Sequence, residues 1–401
     1  MTDQIQELLT RGVEEIIDRD HLIKALESGK KLRVKLGIDP TSPNIHIGRA
    51  VVLWKLRAFQ DLGHKVIFIV GDFTGLVGDT SDKDAERPML TEKEVKTNLK
   101  TYFKQAFKIL DKSQTETAYN SKWLKKLGLL EIAKMANLFG LHEFSAREVI
   151  ARRIKMDKRV SLRELFYPLM QGYDSVAVKA DVELGGTDQR FNLLAGRTIQ
   201  KANGQAPQDI LMTELLLGID GRKMSSSWGN VINITDTPDE MFGRIMSIAD
   251  YLMEQYFKLA TRMPEQEYKQ VLKNENPRNA KARLAFEIVK LYHGEKKAKA
   301  AQDNFEKKFG KSRSLGQINA DKNLSLNETK SVVGAGTYTF NGLLSLLVRV
   351  KFASSRSEAR NKISEGAVKI NGEKFASNEQ VLQTISKGDI VSLGKRFLKI
   401  V

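Results

Sequence analysis

Two stretches of this 401-residue chain carry the side chains that phosphate chemistry uses. In Asp39-Pro40-Thr41-Ser42-Pro43-Asn44-Ile45-His46-Ile47-Gly48-Arg49, a hydroxyl, an imidazole and a guanidinium gather at a strand-to-helix turn. The first turn of a helix offers unpaired N–H groups and a partial positive charge, which suit phosphate oxygens. Gly48 removes a side chain where a flat base can approach the backbone, and His46 and Arg49, three apart, share one helix face. In Gly221-Arg222-Lys223-Met224-Ser225-Ser226-Ser227-Trp228-Gly229-Asn230, cations and hydroxyls sit on a loop able to fold over phosphates. A lysine there stabilises the charge that builds on departing pyrophosphate. Taken singly, the first stretch is a capped helix with a surface histidine and the second a solvated turn. Each follows its own strand. No GxxxxGK[ST] loop occurs, so the nucleotide is not held in P-loop fashion. With no cysteine, thiol catalysis, iron–sulfur clusters and cysteine-ligated zinc are excluded. His21, His46, His64, His142 and His293 lack metal-ligand spacing, so no metal site is expected.

Holding these groups requires strands that end beside them. Residues 3–27 show helical periodicity through Ile5, Leu8, Leu9, Val13, Ile16 and Ile17, closed by Gly29. Leu32 to Ile38 reads as a strand ending at Asp39, a helix runs from Asn44 to Gly63, and KVIFIVG from Lys65 is a fully apolar strand. This is a right-handed parallel strand–helix–strand unit. It recurs as a strand around Ala180–Leu184, a helix from Thr187 to about Ala202 and a strand near Asp209–Leu215. Two such halves predict an α/β fold, a Rossmann-type doubly wound parallel sheet over residues 1–230 that binds a nucleotide at its carboxyl edge. Residues 91–160 read as a basic helical insert, with Trp123 near an Asn120-Ser121 cap, which serves either as a dimer contact or as core padding. A helical domain is expected over 231–309, a Gly, Ser and Asn-rich linker over 310–338, and a small α+β module over 339–401, where Asn371-Gly372 suits a type I′ hairpin.

Composition agrees. Apolar residues at 41 % and charged residues at 28 % are those of an ordinary multidomain globular protein. The formal charge of +16 favours a polyanionic partner. From Asn341 onward 11 Lys and Arg oppose 5 Asp and Glu. Lys351, Arg356, Arg360 and Lys362 flank a short helix there, and Lys369 and Lys374 flank the hairpin turn, giving a basic face for RNA. The acidic N-terminal stretch is not a signal peptide and no run reaches the roughly 18 apolar residues of a membrane span, so a cytoplasmic protein without membrane contact is expected.

In this order the two phosphate segments resemble the HIGH and KMSKS signatures of class I aminoacyl-tRNA synthetases. Tyr167-Pro168-Leu169-Met170-Gln171-Gly172-Tyr173-Asp174, Leu184-Gly185-Gly186-Thr187-Asp188-Gln189 and Gly78-Asp79 resemble the amino-acid and ribose pocket of the tyrosyl enzymes. The segment from Arg356 to Gly372 is similar to the S4 RNA-binding domain that bacterial tyrosyl enzymes carry at this end. The resemblance covers essentially the whole chain. It implies that Asp174 meets the substrate phenol, that Asp79, Tyr167 and Gln171 meet its ammonium, and that Gln189 meets its polar groups. ATP is implied beside Gly37, Asp39, His46, Gly48, Gly186, Asp188, Lys223 and Met224, with Mg²⁺ carried by the nucleotide. Thr41, His46, Arg49, Lys223, Ser225 and Ser226 are the implied catalytic set, and a homodimer acting on L-tyrosine and tRNA(Tyr) the implied assembly. The assignment to the phenol has its own physics, because phenylalanine leaves a buried carboxylate unpaired.

Three positions depart from the family pattern. Arg49 replaces the last histidine of HIGH, Ser226 replaces the second lysine of KMSKS, and Lys35 stands where many tyrosyl enzymes place a tyrosine. A KMSSS form and the Lys-Leu-Gly run both occur within the family, leaving Asp174 as the main phenol partner. Arg49 either grips nucleotide oxygens with its fork or swings outward. Two rival readings remain at this stage: a tryptophanyl enzyme, which the S4-like tail and the Tyr-x₃-Gln-x₂-Asp pocket disfavour, and a non-catalytic RNA-binding paralogue that lost activation through Arg49 and Ser226.

Overall fold

A computed structural model describes residues 2–79, 89–309, 336–338, 340–349, 352–353, 355–374, 383–385, 389–393 and 396–399. The chain divides into two compact units, 1–311 and 312–401.

The first unit is built on a six-stranded sheet of β1 (Val13–Ile17), β2 (Arg33–Ile38), β3 (Lys65–Val70), β4 (Thr115–Tyr119), β5 (Val182–Gly186) and β6 (Asp209–Thr213). Their spatial order is β1-β6-β5-β2-β3-β4. All neighbours are parallel except β1, which runs antiparallel to β6. The chain winds outward from β2 through β3 to β4, then returns to β5 and winds the other way. The winding therefore reverses between β2 and β5, where a doubly wound sheet opens a crevice at its carboxyl ends. Pairing of β2 with β5 is confined to Val34↔Val182 and Lys35↔Glu183. Beyond it, Gly37 and Gly185–Gly186 border the crevice.

The apolar run of β3 is buried on both faces, as a central parallel strand must be. Val66, Phe68 and Val70 pack with the helix Ile47–Asp61, while Ile67 and Ile69 pack with Val178, the last residue of the helix Leu162–Val178. That second helix starts with a Ser161–Glu164 capping box. It contains Pro168, which cannot donate to the carbonyl of Glu164, and an Arg147 guanidinium takes that carbonyl at 3.4 Å instead.

Three expectations change. Residues 3–27 are not one helix: Asp3–Thr10 and Arg19–Glu27 are helical, and the segment between them is β1. Gly12 and Asp18, both at positive φ, break the periodicity on either side of a β-branched run. The insert is not wholly helical, because Thr115–Tyr119 forms β4 beside β3. Residues 231–309, expected as a separate domain, share one hydrophobic core with the sheet and the helix Ile47–Asp61. No helix among the described residues is long and apolar enough to cross a membrane.

In the second unit, the described part of the expected linker is Gly336–Tyr338, which forms β7 paired antiparallel with β10 (Gln383–Ile385). Helices Phe340–Arg349 and Arg356–Ser364 share a core with β8 (Val368–Ile370) and β11 (Ile390–Leu393). The second sheet has the order β12-β11-β8-β9, with β9 at Glu373–Lys374 and β12 at Arg396–Lys399. Asn371 and Gly372 both take positive φ, as a two-residue I′ hairpin demands.

Candidate active site

At the reversal of winding lies a cavity of about 590 Å³. The carboxyl end of β2 leads through Asp39 and Thr41 to His46, the N-cap of the helix Ile47–Asp61. His46 Nδ1 accepts the Arg49 backbone N–H at 3.3 Å, which places the proton of the neutral ring on Nε2, a donor. Burial, reinforced by the charges of Arg49 and Lys223, lowers the imidazole to about 3, so the ring is neutral at working pH. Arg49 faces inward and lines the cavity. Its guanidinium donates to Thr41 Oγ1 at 2.8 Å and to the hydroxyl of the fully buried Tyr102. Of the two orientations open to Arg49, the structure adopts the inward one.

The loop with Lys223 is drawn against the same helix. Ile47 N donates to Ile232 O at 2.8 Å and Ile234 N to Ile45 O at 2.9 Å, pairing the segment after the loop with the segment around His46. A Cβ on Gly48 would come within 3.1 Å of both His46 Nδ1 and Met224 Sδ, so glycine permits the two segments to touch. Ser42 and Ser226 bring their hydroxyls to 3.3 Å. Lys223 Nζ lies 2.8 Å from Asp188 Oδ2. Asn230 organises the loop from within, accepting Ser225 N at 2.9 Å and donating to Asp220 Oδ1 at 2.8 Å. That bond, with those of Arg222, holds the Asp220 carboxyl down at about 2.

Tyr167 and Gln171 extend the wall from the helix Leu162–Val178. The Tyr167 hydroxyl donates to Asp39 Oδ2 at 2.9 Å, and burial pushes the phenol far above its usual range. Thr74 Oγ1 donates to the other Asp39 oxygen at 2.7 Å. Gly71 leaves room for this bond, since a Cβ there would lie 2.1 Å from Asp39 Oδ1 and 2.2 Å from Thr74 Oγ1. Gln189 Nε2 donates to Asp79 Oδ2 at 2.7 Å. Gly37, Gly48, Gly186, Ser225 and Ser226 complete the predicted lining.

Asp174 lies one helical turn beyond Gln171, 3 % exposed and behind the cavity wall. Trp123 Nε1 donates to its Oδ1 at 2.7 Å and Asn120 Nδ2 to its Oδ2 at 3.3 Å. Burial raises this carboxyl to about 7, against the pull of Lys35, Trp123 and Asn120 and with a push from Glu183.

Sequence reasoning missed several partners. Asn120 occupies the expected cap position, yet its side chain makes no cap bond and goes to Asp174, Thr74 and Phe73 N. Tyr102 holds Arg49, Asn192 donates to Gln189 Oε1 at 2.9 Å, and Glu183 pairs with Lys35. Only the last had a signal, a glutamate inside a central apolar strand. In the second unit Arg356, Arg360 and Lys369 are exposed, and Lys362 pairs with Glu358 at 3.3 Å. Lys351 lies outside the described residues, as does the side chain of Lys374.

Comparison with known proteins follows the same division. Residues 27–310 match the family described as tRNA synthetases class I (W and Y), and residues 330–391 match the tyrosine–tRNA ligase SYY-like C-terminal domain. A tyrosine–tRNA ligase of Carboxydothermus hydrogenoformans is 45 % identical over 98 % of this chain and 97 % of its own length. One of Thermotoga maritima is 42 % identical over 99 % and 97 %. Among solved structures, tyrosyl-tRNA synthetase of Archaeoglobus fulgidus, complexed with L-tyrosine, shares the fold with a TM-score of 0.61 and 23 % identity, covering 75 % of this chain and 100 % of that one.

Proposed function

Since this chain belongs to the class I tRNA synthetases, in the tyrosine–tRNA ligase branch, we propose that its crevice works by the following division of labour. The enzyme is an aminoacyl-tRNA ligase that activates L-tyrosine with ATP and transfers it to tRNA(Tyr). The observation that carries the site assignment is the convergence on one crevice of phosphate-type donors at one end, His46, Arg49, Thr41 and Lys223, and of Gln171 and Tyr167 with Asp174 behind them at the other.

Tyrosine's phenol points toward Asp174, with its ammonium among Asp79, Tyr167 and Gln171 and Gln189 on its polar groups. Its carboxylate attacks the α-phosphorus of ATP as the bond to the β-phosphate breaks, giving tyrosyl-adenylate and pyrophosphate. A terminal ribose hydroxyl of tRNA then attacks the acyl carbon and AMP leaves. No protein nucleophile is needed. Fixed positive charge from Arg49 and Lys223, the Nε2–H of neutral His46 and the hydroxyls of Thr41, Ser225 and Ser226 stabilise the phosphate charge. Gly37, Asp39, Gly48 and Met224 border the nucleotide, and Gly186 and Asp188 take its ribose. Mg²⁺ is assigned to the ATP substrate, which carries it into the site.

The second unit, an S4-like module, binds tRNA through Arg356, Arg360 and Lys369, with Lys351, Lys362 and Lys374 alongside. The homodimer contact lies on the insert, where Leu129, Leu130, Leu141 and Ile154 are exposed on successive helices. Its substrates are those of the cytoplasm, where we place the enzyme. Tyrosine-dependent ATP–pyrophosphate exchange tests the activity. Exchange that follows tryptophan and ignores tyrosine would restore the tryptophanyl rival, and none with either amino acid the non-catalytic one.

A further inference from the structure

Beneath the pocket lies a charged pair outside the two signature motifs. Lys35 and Glu183 face each other across β2 and β5, 0 % and 1 % exposed. Lys35 is in register with Ile67, on the apolar face that packs against the helix Leu162–Val178. An ammonium there must have a full set of partners. Lys35 Nζ lies 2.9 Å from Glu183 Oε1, 2.7 Å from Ser175 Oγ and 3.0 Å from Gln171 O. Glu183 accepts from Ser175 Oγ at 3.0 Å, from Gln171 Nε2 at 3.2 Å and from Gln208 Nε2. The pair thus grips the helix at Gln171 and Ser175, on both sides of Asp174. Gln171, which lines the cavity, is thereby held through both its backbone carbonyl and its side-chain amide.

Charge tells the same story. Asp174 and Glu183 are two carboxylates buried within one packed layer. Lys35 pulls Asp174 toward ionisation and Glu183 pushes against it. Tyr167, on the same helix, feels the charge of Asp174 together with those of Asp39 and Asp79. Trp123 and Asn120 reach Asp174 as neutral donors. The helix Arg190–Ala202 presents Gly196 to Ser175 and Glu183.

We propose that Lys35 is a positioning residue for tyrosine selection: anchored by Glu183, it fixes residues 171–175 and supplies the positive charge that lets Asp174 act as an ionised acceptor for the phenol. One carboxylate then reads the hydroxyl without a second phenol-binding side chain. This inference rests on the tyrosine-activating role proposed above.

The test compares wild type, E183Q and K35M/E183Q, all full length, in pyrophosphate exchange driven by tyrosine or by phenylalanine between about pH 5.5 and 9. The double variant removes both charges, so no buried ion is orphaned. It is expected to lose about tenfold in the tyrosine-to-phenylalanine ratio of kcat/KM at neutral pH, any loss through Gln171 being common to both amino acids, and to recover that ratio as pH rises because its acid limb has moved up. E183Q keeps Lys35, and its limb moves to lower pH with the preference for tyrosine retained. A double variant with the wild-type tyrosine-to-phenylalanine ratio and limb overturns the proposal, as does a loss equal for both amino acids at every pH. Should the double variant fail to fold, an unmoved limb in E183Q overturns it and a lowered one supports it. Absence of tyrosine-driven exchange in the wild type defeats the activity itself, an outcome distinct from all of these.

Discussion

Replacing Asp174 with asparagine isolates charge from shape, and the structure sets the size of the effect. The carboxylate has Trp123 Nε1 on one oxygen at 2.7 Å and Asn120 Nδ2 on the other at 3.3 Å. The variant amide keeps its oxygen on the closer donor, Trp123, and so turns its own NH₂ toward that of Asn120. Asn120 cannot rotate to accept it without losing Phe73 N at 3.0 Å and Thr74 Oγ1 at 2.9 Å. The phenol therefore meets an uncharged, crowded group in place of a carboxylate. Loss of a hydrogen bond to a charged partner costs about 1.5–3 kcal/mol, roughly a 10- to 150-fold fall in tyrosine kcat/KM. Phenylalanine makes no such bond and should change little. Pyrophosphate exchange with both amino acids gives the ratio, and an unaltered tyrosine preference in Asp174→Asn would refute the assignment. Stability supplies a second readout. A buried carboxyl raised to about 7 from 3.8 holds its proton more tightly folded than unfolded. Its burden on the fold is absent below the unfolded value, grows as pH rises through the interval and is complete above about 7. Asparagine never ionises, so thermal melts should show the Tm difference moving in the variant's favour by a few degrees between about pH 5 and pH 8. A difference flat with pH would show that Asp174 is not the group titrating.

Arg49→Ala removes the donors held by Thr41 and Tyr102, and tyrosine activation should slow by roughly tenfold, about 1.4 kcal/mol; a wild-type rate would show that the fork does not act on the nucleotide. Ending the chain after Lys311, the boundary between the units, should leave adenylate formation near wild type while tRNA charging falls and the salt dependence of tRNA affinity flattens. Equal tRNA affinity in the two forms argues against the second unit as the RNA platform. Aspartate at Leu130 and Leu141 together should shift sedimentation from dimer to monomer, and an unchanged dimer would move the contact away from the insert.

What the sequence revealed, and what it hid, follow from how far each signal reaches along the chain. The turn from β2 into the His46-capped helix is written in adjacent residues, and so is the loop around Lys223. The unbroken apolar run of β3 needs no partner to be read as a buried strand. The true status of Val13–Ile17 depended on two positive-φ breaks and on β6, a strand far along the chain. Placement of Trp123 and Asn120 on Asp174 depends on β4 joining the sheet beside β3, because that strand delivers Asn120 at its end. Lys35 was visible as a departure from family habit, but its meaning required Glu183 directly across from it, a fact of register between two strands separated by the whole insert.

The site's groups are already bound to one another. Lys223 holds Asp188, Gln189 holds Asp79, Tyr167 holds Asp39 and Arg49 holds Thr41. A substrate entering such a crevice exchanges bonds more than it adds them, so each contact contributes little net affinity while its geometry is fixed in advance. Fixed geometry is what in-line attack on a phosphate needs, since donors that are already oriented do not reorganise as charge builds. The same pairing makes truncation cost more than the bond lost, because each deletion strands a partner, most severely where that partner is as buried as Tyr167. Asp188→Ala, for example, removes the acceptor proposed for the ribose and also breaks the ion pair with Lys223, whereas a ligand that displaces the pair supplies a replacement for each member.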